Sequence, residues 1–385
     1  MLERPKAFKR LSASYLFAEI ERRKRVYQEQ NPGVELLNLG IGDTVLPLPP
    51  PVVSALVAGA RDLGTLEGYS GYGNVQGSLR LRSLICERFY PQLSPDELFI
   101  SDGAKSDLGR LQNFFGGDLR VGMEDPTYPV YLDGSLLQGV QTILPLPCHS
   151  QNHFFPDLPE GIDLLYFCNP NNPTGRACTK EQLSKLVDYA LSQKVLLIYD
   201  GAYASFIQDP LLPRTIYEIP GAEKVAIEVN SFSKMAGFSG LRLGWTVIPK
   251  ELRFQSGHSI RDDFLRFGSS IFNGASNLIQ QGGLAVLSEA GWQGVQASIT
   301  YTLENGALLK DHFEKKGYRV HGGINAPYLW IETPGRSSWD LFQEMMEKDH
   351  VIVTPGVGYG PTGEGAIRIS AFGHREKLLK FIERS

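Results

Sequence analysis

The chain has 385 residues, of which 42% are hydrophobic and 21% charged, with a formal net charge of −4. That length exceeds an ordinary single domain, so two domains are expected, with ample apolar content for their cores. The near-neutral balance gives no electrostatic footprint for nucleic acid or an anionic membrane surface, and the longest apolar runs are too short to span a bilayer.

In chain order, the opening MLERPKAFKRLS is basic but has no apolar segment behind it, which argues against a signal peptide. Residues 15–30 read as a long, charged helix. Strands are expected at 98–101, 120–123, 164–168, 195–199, 225–229 and 242–247, each a short apolar run. Between two of them, 179–193 carries Leu183, Leu186, Val187, Ala190 and Leu191 on one helical stripe, with Thr179 and Gln182 spaced as a capping box. Strands alternating with helices predict an α/β fold with a mostly parallel sheet covered on both faces. Beyond about Gly283 the pattern shifts to helices and short strands. A large domain over 46–282 and a small one built from 1–45 and 283–385 are therefore expected. Cys86, Cys148, Cys168 and Cys178 have neither metal-ligand nor CxxC spacing, which suits reduced structural thiols in a cytoplasmic protein without a metal.

In open α/β sheets, ligands bind beyond the carboxyl ends of the strands, so the residues after each apolar run carry the functional signal. After 98–101 comes Asp102-Gly103-Ala104-Lys105, small residues able to open a helix whose N–H groups would cradle an anion. Alone, such a glycine is ordinarily only a turn. After 164–168 comes NPNNPTG, a rigid loop that projects the Asn172 amide. After 195–199 comes Asp200, with Tyr203 three residues on. A carboxylate ending a buried strand is costly unless paired, and a protonated pyridine nitrogen would be such a partner. The bland alternative is an N-cap aspartate and a core tyrosine.

After 225–229 comes SFSK, which isolates Lys234 eight residues ahead of Arg242. A lysine that forms an imine must spend time neutral, and the forked donors of an arginine match a phosphate. A lone lysine on a Gly/Ser loop is usually a surface residue. Four successive strand ends supplying an anion cradle, a ring-edge amide, a carboxylate and a lysine point instead to pyridoxal 5′-phosphate (PLP), which has both an aldehyde and a phosphate.

These elements, together with NPTG at 172–175 and the late IRIS arginine Arg368, resemble the fold-type I, class I/II PLP-dependent aminotransferases. Within that family, NLGIGDTVLPLP, GYSGYG, ISDGAK, EDPTYPVY, FNGAS and RISAFGHRE are similar to segments of the diaminopimelate aminotransferases. The resemblance implies a seven-stranded large-domain sheet with a small α+β domain, and a homodimer with shared sites. It implies that Lys234 is the Schiff-base lysine and proton shuttle, that Asp200 meets the ring nitrogen, and that Asn172 and Tyr203 meet the ring oxygen. Tyr128 stacks on the ring. Ala104, Lys105, Ser231, Ser233 and Arg242 hold the phosphate, joined by Tyr72 and Asn273 from a neighbouring subunit. Tyr15, Gly42, Lys105, Tyr128, Asn172, Asn273 and Arg368 line the substrate site, Arg368 clamping the α-carboxylate.

The implied reaction is exchange between LL-2,6-diaminopimelate and 2-oxoglutarate. In those enzymes an acidic residue three places after the tyrosine matching Tyr72 helps to recognise the substrate's distal ammonium; here that place is Val75. A broader aromatic, glutamate/aspartate or alanine-type aminotransferase is therefore the alternative, followed by a PLP-dependent C–S β-lyase and a non-enzymatic PLP-binding protein.

Overall fold

The computed structural model describes residues 2–11 and 16–384. Its largest sheet has seven strands in the spatial order Leu98–Ser101, Gly244–Val247, Ala226–Ser231, Leu196–Asp200, Leu164–Cys168, Arg120–Asp125 and Thr142–Pro147. Gly244–Val247 runs antiparallel to both its neighbours; the other pairings are parallel. The carboxyl ends of Leu164–Cys168, Leu196–Asp200 and Ala226–Ser231 therefore share one edge, with Cys168 opposite Asp200 and Asp200 opposite Val229.

Sequence periodicity explains the layers. The helix Lys180–Gln193 buries Leu183, Leu186, Val187 and Ala190 against one face of the sheet. Its capping box forms, with Thr179 N–H donating to Gln182 Oε1 at 2.9 Å and Gln182 N–H to Thr179 Oγ1 at 3.3 Å, which satisfies two otherwise orphaned donors. The opposite face is covered by Leu108 and Leu111 of the helix Ala104–Phe115, with Ile260 and Phe264 of the helix Ile260–Ile271.

A separate core surrounds the four-stranded antiparallel sheet Thr354–Pro355, Ala366–Ser370, Tyr328–Glu332 and Arg319–Gly322. It takes in Leu16 and Ile20 of the helix Leu16–Gln30 and Leu378 and Phe381 of the helix Arg375–Arg384. The 27-residue helix Glu289–Lys315 joins the two cores, burying Val295 and Ile299 in the first and Leu309 and Phe313 in the second. Among the described residues no helix is long and apolar enough to cross a membrane, and all four cysteines are unpaired and buried.

One strand was not expected, and four expected ones have different bounds, the strand expected at 120–123 running on to Asp125. Thr142–Pro147 escapes the apolar-run criterion because Pro145 and Pro147 interrupt it; both are tolerated because the strand lies at the sheet edge. The strand expected over 242–247 begins only at Gly244, because Arg242 adopts a left-handed φ of 65° and belongs to the preceding turn. Those expected at 195–199 and 225–229 are shifted toward the site, ending at Asp200 and Ser231.

Candidate active site

Lys234 lies in the one-and-a-half-turn helix Phe232–Ala236, which follows directly from the strand Ala226–Ser231. Ser231 Oγ caps it by accepting from Ser233 N–H at 3.0 Å, and Gly237 closes it at φ 76°. The Lys234 amine is 3.3 Å from Asp43 Oδ1 and 3.5 Å from Ser239 Oγ, and Ser239 also donates to Asp43. Burial pushes the amine's pKa below its ordinary value; Asp43 opposes that shift, while Arg368 and Arg242 reinforce it.

At the expected anion cradle, Gly103, at φ 116°, precedes the helix Ala104–Phe115. A Cβ at Gly103 would lie 2.6 Å from Arg242 Nη2, so only glycine lets the guanidinium close over the helix N-terminus. Arg242 is steadied by donation from Nη1 to the Ser239 carbonyl at 2.7 Å. Ser231 and Ser233 line the same cavity of about 160 Å³, as do Lys105, Tyr128, Asn172, Asp200, Tyr203, Lys234 and Arg242.

Asp200 is 4% exposed. Its Oδ2 accepts from the Tyr131 hydroxyl at 2.7 Å and its Oδ1 from Ala202 N–H at 3.0 Å. Among the described residues no cationic side chain forms an ion pair with it. Burial raises its pKa, and the two hydrogen bonds counter that. A buried carboxylate at a cavity wall with lone pairs to spare suits a cationic N–H. A cradle suited to a dianion, a lysine whose burial lowers its pKa and this carboxylate together fit a phosphorylated pyridine aldehyde.

The second sheet contributes Arg368, from the strand Ala366–Ser370. Only 2% exposed, it donates from Nη1 to Asn172 Oδ1 at 2.8 Å and from Nη2 to the Gly40 carbonyl. Its guanidinium lies 4.4 Å from the Tyr328 ring centroid and 5.0 Å from that of Tyr359, while Nε has no partner. An unsatisfied buried donor on a charged group fits an anionic ligand such as a carboxylate. Tyr328 also shares a 2.8 Å hydrogen bond with the Tyr203 hydroxyl. A side chain on Gly42 would place its Cβ 2.1 Å from the Tyr328 hydroxyl, so this approach requires glycine.

Arg368 and Gly42 do not line this cavity themselves but adjoin it through Asn172 and the Tyr328–Tyr203 pair, whereas two other expected residues lie at the surface. Tyr72 is 88% exposed and Asn273 is also exposed. Their loops run together on the surface, where Asn277 Nδ2 donates to the Gly71 carbonyl at 2.9 Å. Val75 is half-buried between those loops and the helix bearing Gly268. Tyr15 lies outside the described residues. Sequence reasoning missed Asp43, Ser239, Tyr131 and Tyr328. Asp43 and Tyr131 lie inside the segments NLGIGDTVLPLP and EDPTYPVY and Ser239 follows Lys234 by five residues, whereas Tyr328 has no local signal at all.

A family model described as aminotransferase class I and II matches residues 34–384. The LL-diaminopimelate aminotransferase of Protochlamydia amoebophila (strain UWE25) is 44% identical over 398 residues, spanning 100% of this chain and 97% of the relative. The chloroplastic LL-diaminopimelate aminotransferase of Arabidopsis thaliana is 47% identical over 390 residues, spanning 97% of this chain and 84% of the relative. The solved L,L-diaminopimelate aminotransferase from Chlamydomonas reinhardtii superposes with a TM-score of 0.96 at 46% identity, covering 100% of this chain and 98% of that one. With family, fold and donor set in agreement, this chain belongs to the class I and II aminotransferases, and PLP is its cofactor.

Proposed function

We propose that the protein exchanges the amino group of LL-2,6-diaminopimelate with 2-oxoglutarate, giving tetrahydrodipicolinate (the cyclised oxo acid) and glutamate in lysine and cell-wall precursor synthesis. The observation that carries the reaction type is the convergence of Lys234 and Asp200 from adjacent strand ends on one cavity. The substrate is supported by the full-length similarity to the diaminopimelate enzymes.

When bound, PLP supplies an aldehyde that links to amines and a pyridinium ring that draws electrons from the donor's Cα. Lys234 would anchor it and serve as the general acid–base, its Nζ taking the proton from the donor's Cα and delivering it to the carbon that had been the cofactor's aldehyde. Burial and two nearby arginines favour the neutral amine this requires. Asp200 would accept the hydrogen bond of the protonated ring nitrogen, and Asn172 and Tyr203 would donate to the ring oxygen. Ala104 and Lys105 N–H groups, Ser231, Ser233 and Arg242 hold the phosphate, and Tyr128 covers the ring. Arg368 receives the α-carboxylate, with Gly42 and Lys105 beside it. Tyr72 and Asn273, exposed on one chain, serve the neighbour's site in a two-fold homodimer. We assign residues 46–282 to a large domain, 1–45 with 283–385 to a small one, and the enzyme to the cytoplasm.

Val75 supports a second feature, broader donor use. Losing a charge-assisted hydrogen bond to a distal ammonium costs about 1.5–3 kcal/mol, or roughly one to two decades of kcat/KM. A panel of kcat/KM values for diaminopimelate, glutamate, aromatic donors and alanine tests both readings. Diaminopimelate should turn over, and Val75→Glu should raise its preference over donors lacking the second ammonium. Inert diaminopimelate beside a well-used aromatic or small neutral donor would refute the substrate while leaving the class intact. Borohydride should fix the cofactor on Lys234, and an adduct on another lysine would refute the anchor.

A further inference from the structure

Tyr131 is fully buried in the helix Val130–Leu137, directly beneath the chamber. Its ring stacks on Tyr166 with centroids 5.1 Å apart and planes 5° from parallel. Its edge meets the Tyr128 ring at 5.8 Å and 87°, the T-shaped geometry aromatic pairs favour. Gln112, from the helix that begins at the anion cradle, fixes the backbone of this segment by donating from Nε2 to the Val130 and Tyr131 carbonyls at 3.2 and 3.3 Å. Gly134 leaves the space Gln112 needs, since a Cβ there would fall 1.9 Å from Gln112 Oε1. The Tyr131 hydroxyl, placed by all three supports, donates to Asp200 Oδ2 at 2.7 Å.

Resting on the assignment of Asp200 to the ring nitrogen, we infer that Tyr131 is a positioning residue that keeps the shared proton on that nitrogen and aligns Tyr128 with the ring face. The argument is one of competition for charge. A carboxylate facing a protonated pyridine in a dry site can take the proton itself, leaving a neutral pair and a poorer electron sink. A second donor on the same carboxylate favours its charged form and opposes that transfer. Burial and the neighbouring Asp200 charge hold the phenol's pKa above its ordinary value, so its proton is there to donate to the carboxylate. Deleting the hydroxyl moves the proton balance toward Asp200 by about tenfold to a hundredfold, the effect of one hydrogen bond to a charged group.

The test uses holoenzyme loaded with PLP labelled with ¹⁵N in its ring. In Tyr131→Phe, which keeps both ring contacts, the nitrogen resonance should move toward that of unprotonated pyridine. Placing 3-fluorotyrosine at 131, a stronger donor of nearly the same shape, should move it the opposite way. The Phe variant's kcat should fall about tenfold with KM within about twofold, because the ring's charge matters most at the transition state. The fluorotyrosine form keeps the test open if the Phe variant fails to load. Unchanged resonances in both forms, while Asp200→Ala shifts the line, would overturn the role of Tyr131 alone. No shift in Asp200→Ala either would overturn the underlying assignment of Asp200.

Discussion

Replacing Asp43 with asparagine should make Lys234 a better nucleophile, because it discharges the acidic side chain that pairs with the amine. Two unit charges 3.3 Å apart attract by about 5 kcal/mol at an effective dielectric near 20 and by about 1 kcal/mol in bulk water. The Asp43 side chain is 49% exposed and that of Lys234 20%, so screening brings the pair close to the lower figure, roughly 1–2 kcal/mol. That corresponds to a roughly tenfold change in the amine's proton affinity. Asp43 stabilises the ammonium form, so its removal lets the amine deprotonate at lower pH, adding to the effect of burial. Asparagine keeps an oxygen for the Ser239 hydroxyl, which limits rearrangement. The assay is acetic anhydride labelling of Lys234 in the cofactor-free protein across a pH series, read by peptide mass spectrometry. The Asp43→Asn curve should lie at lower pH than wild type, and PLP capture at neutral pH should be about tenfold faster. Superimposable curves, or displacement to higher pH, would refute the reasoning.

Asp200→Ala should lower kcat by about two to three decades with KM within a few-fold, since one partner of a buried ion pair is worth about 3–5 kcal/mol; equal losses in both constants would make it merely structural. Glu124, buried and accepting Cys168 N–H at 2.6 Å, is pushed by burial from 4.5 up to about 8. The folded state therefore binds the proton more tightly, and this stabilisation is full below about pH 4.5 and lost as pH rises toward about 8. Glu124→Gln should flatten that part of the Tm-versus-pH curve; an unchanged slope would argue against the buried carboxyl as its source. Mixing Lys234→Ala and Tyr72→Phe chains should restore activity through hybrid dimers with one intact site, whereas inert mixtures, or a fully active monomer by sedimentation, would count against shared sites.

The parts of the site that could be read from sequence are those fixed by local chain geometry. Asn172, Asp200 and Lys234 each follow an apolar run, and the three runs are consecutive neighbours in a parallel sheet, so their carboxyl ends meet at one edge. Register and handed crossover do the rest. The hidden parts are side-chain contacts closed over long chain separations. Asp43 reaches Lys234 across 191 positions, Tyr203 reaches Tyr328 across 125, and Arg368 reaches Asn172 across 196. No periodicity or spacing encodes such a pair. Tyr131 was obscured differently, because an aromatic in an apolar helix reads as core, and it is indeed core at its ring while its hydroxyl serves Asp200.

Those long-range contacts share a pattern with consequences for substrate recognition. Asn172 and Tyr203, both on the edge of the seven-stranded sheet, are hydrogen-bonded to Arg368 and Tyr328 of the four-stranded sheet. A buried guanidinium must be supplied with acceptors, and Asn172 Oδ1 is one of the two that Arg368 uses. On the roles proposed for Arg368 and Asn172, a carboxylate entering to meet the guanidinium would compete with the amide oxygen that now accepts from it. The Tyr203–Tyr328 pair links the same two layers and, through the close approach of Tyr328 to Gly42, extends the link to the N-terminal loop bearing Asp43. Arg368, Asn172, Tyr203, Tyr328 and the Asp43 charge beside Lys234 thus form one connected set of contacts. Substitutions at Arg368, Tyr328 and Asp43 should consequently act non-additively, unlike changes at well-separated sites.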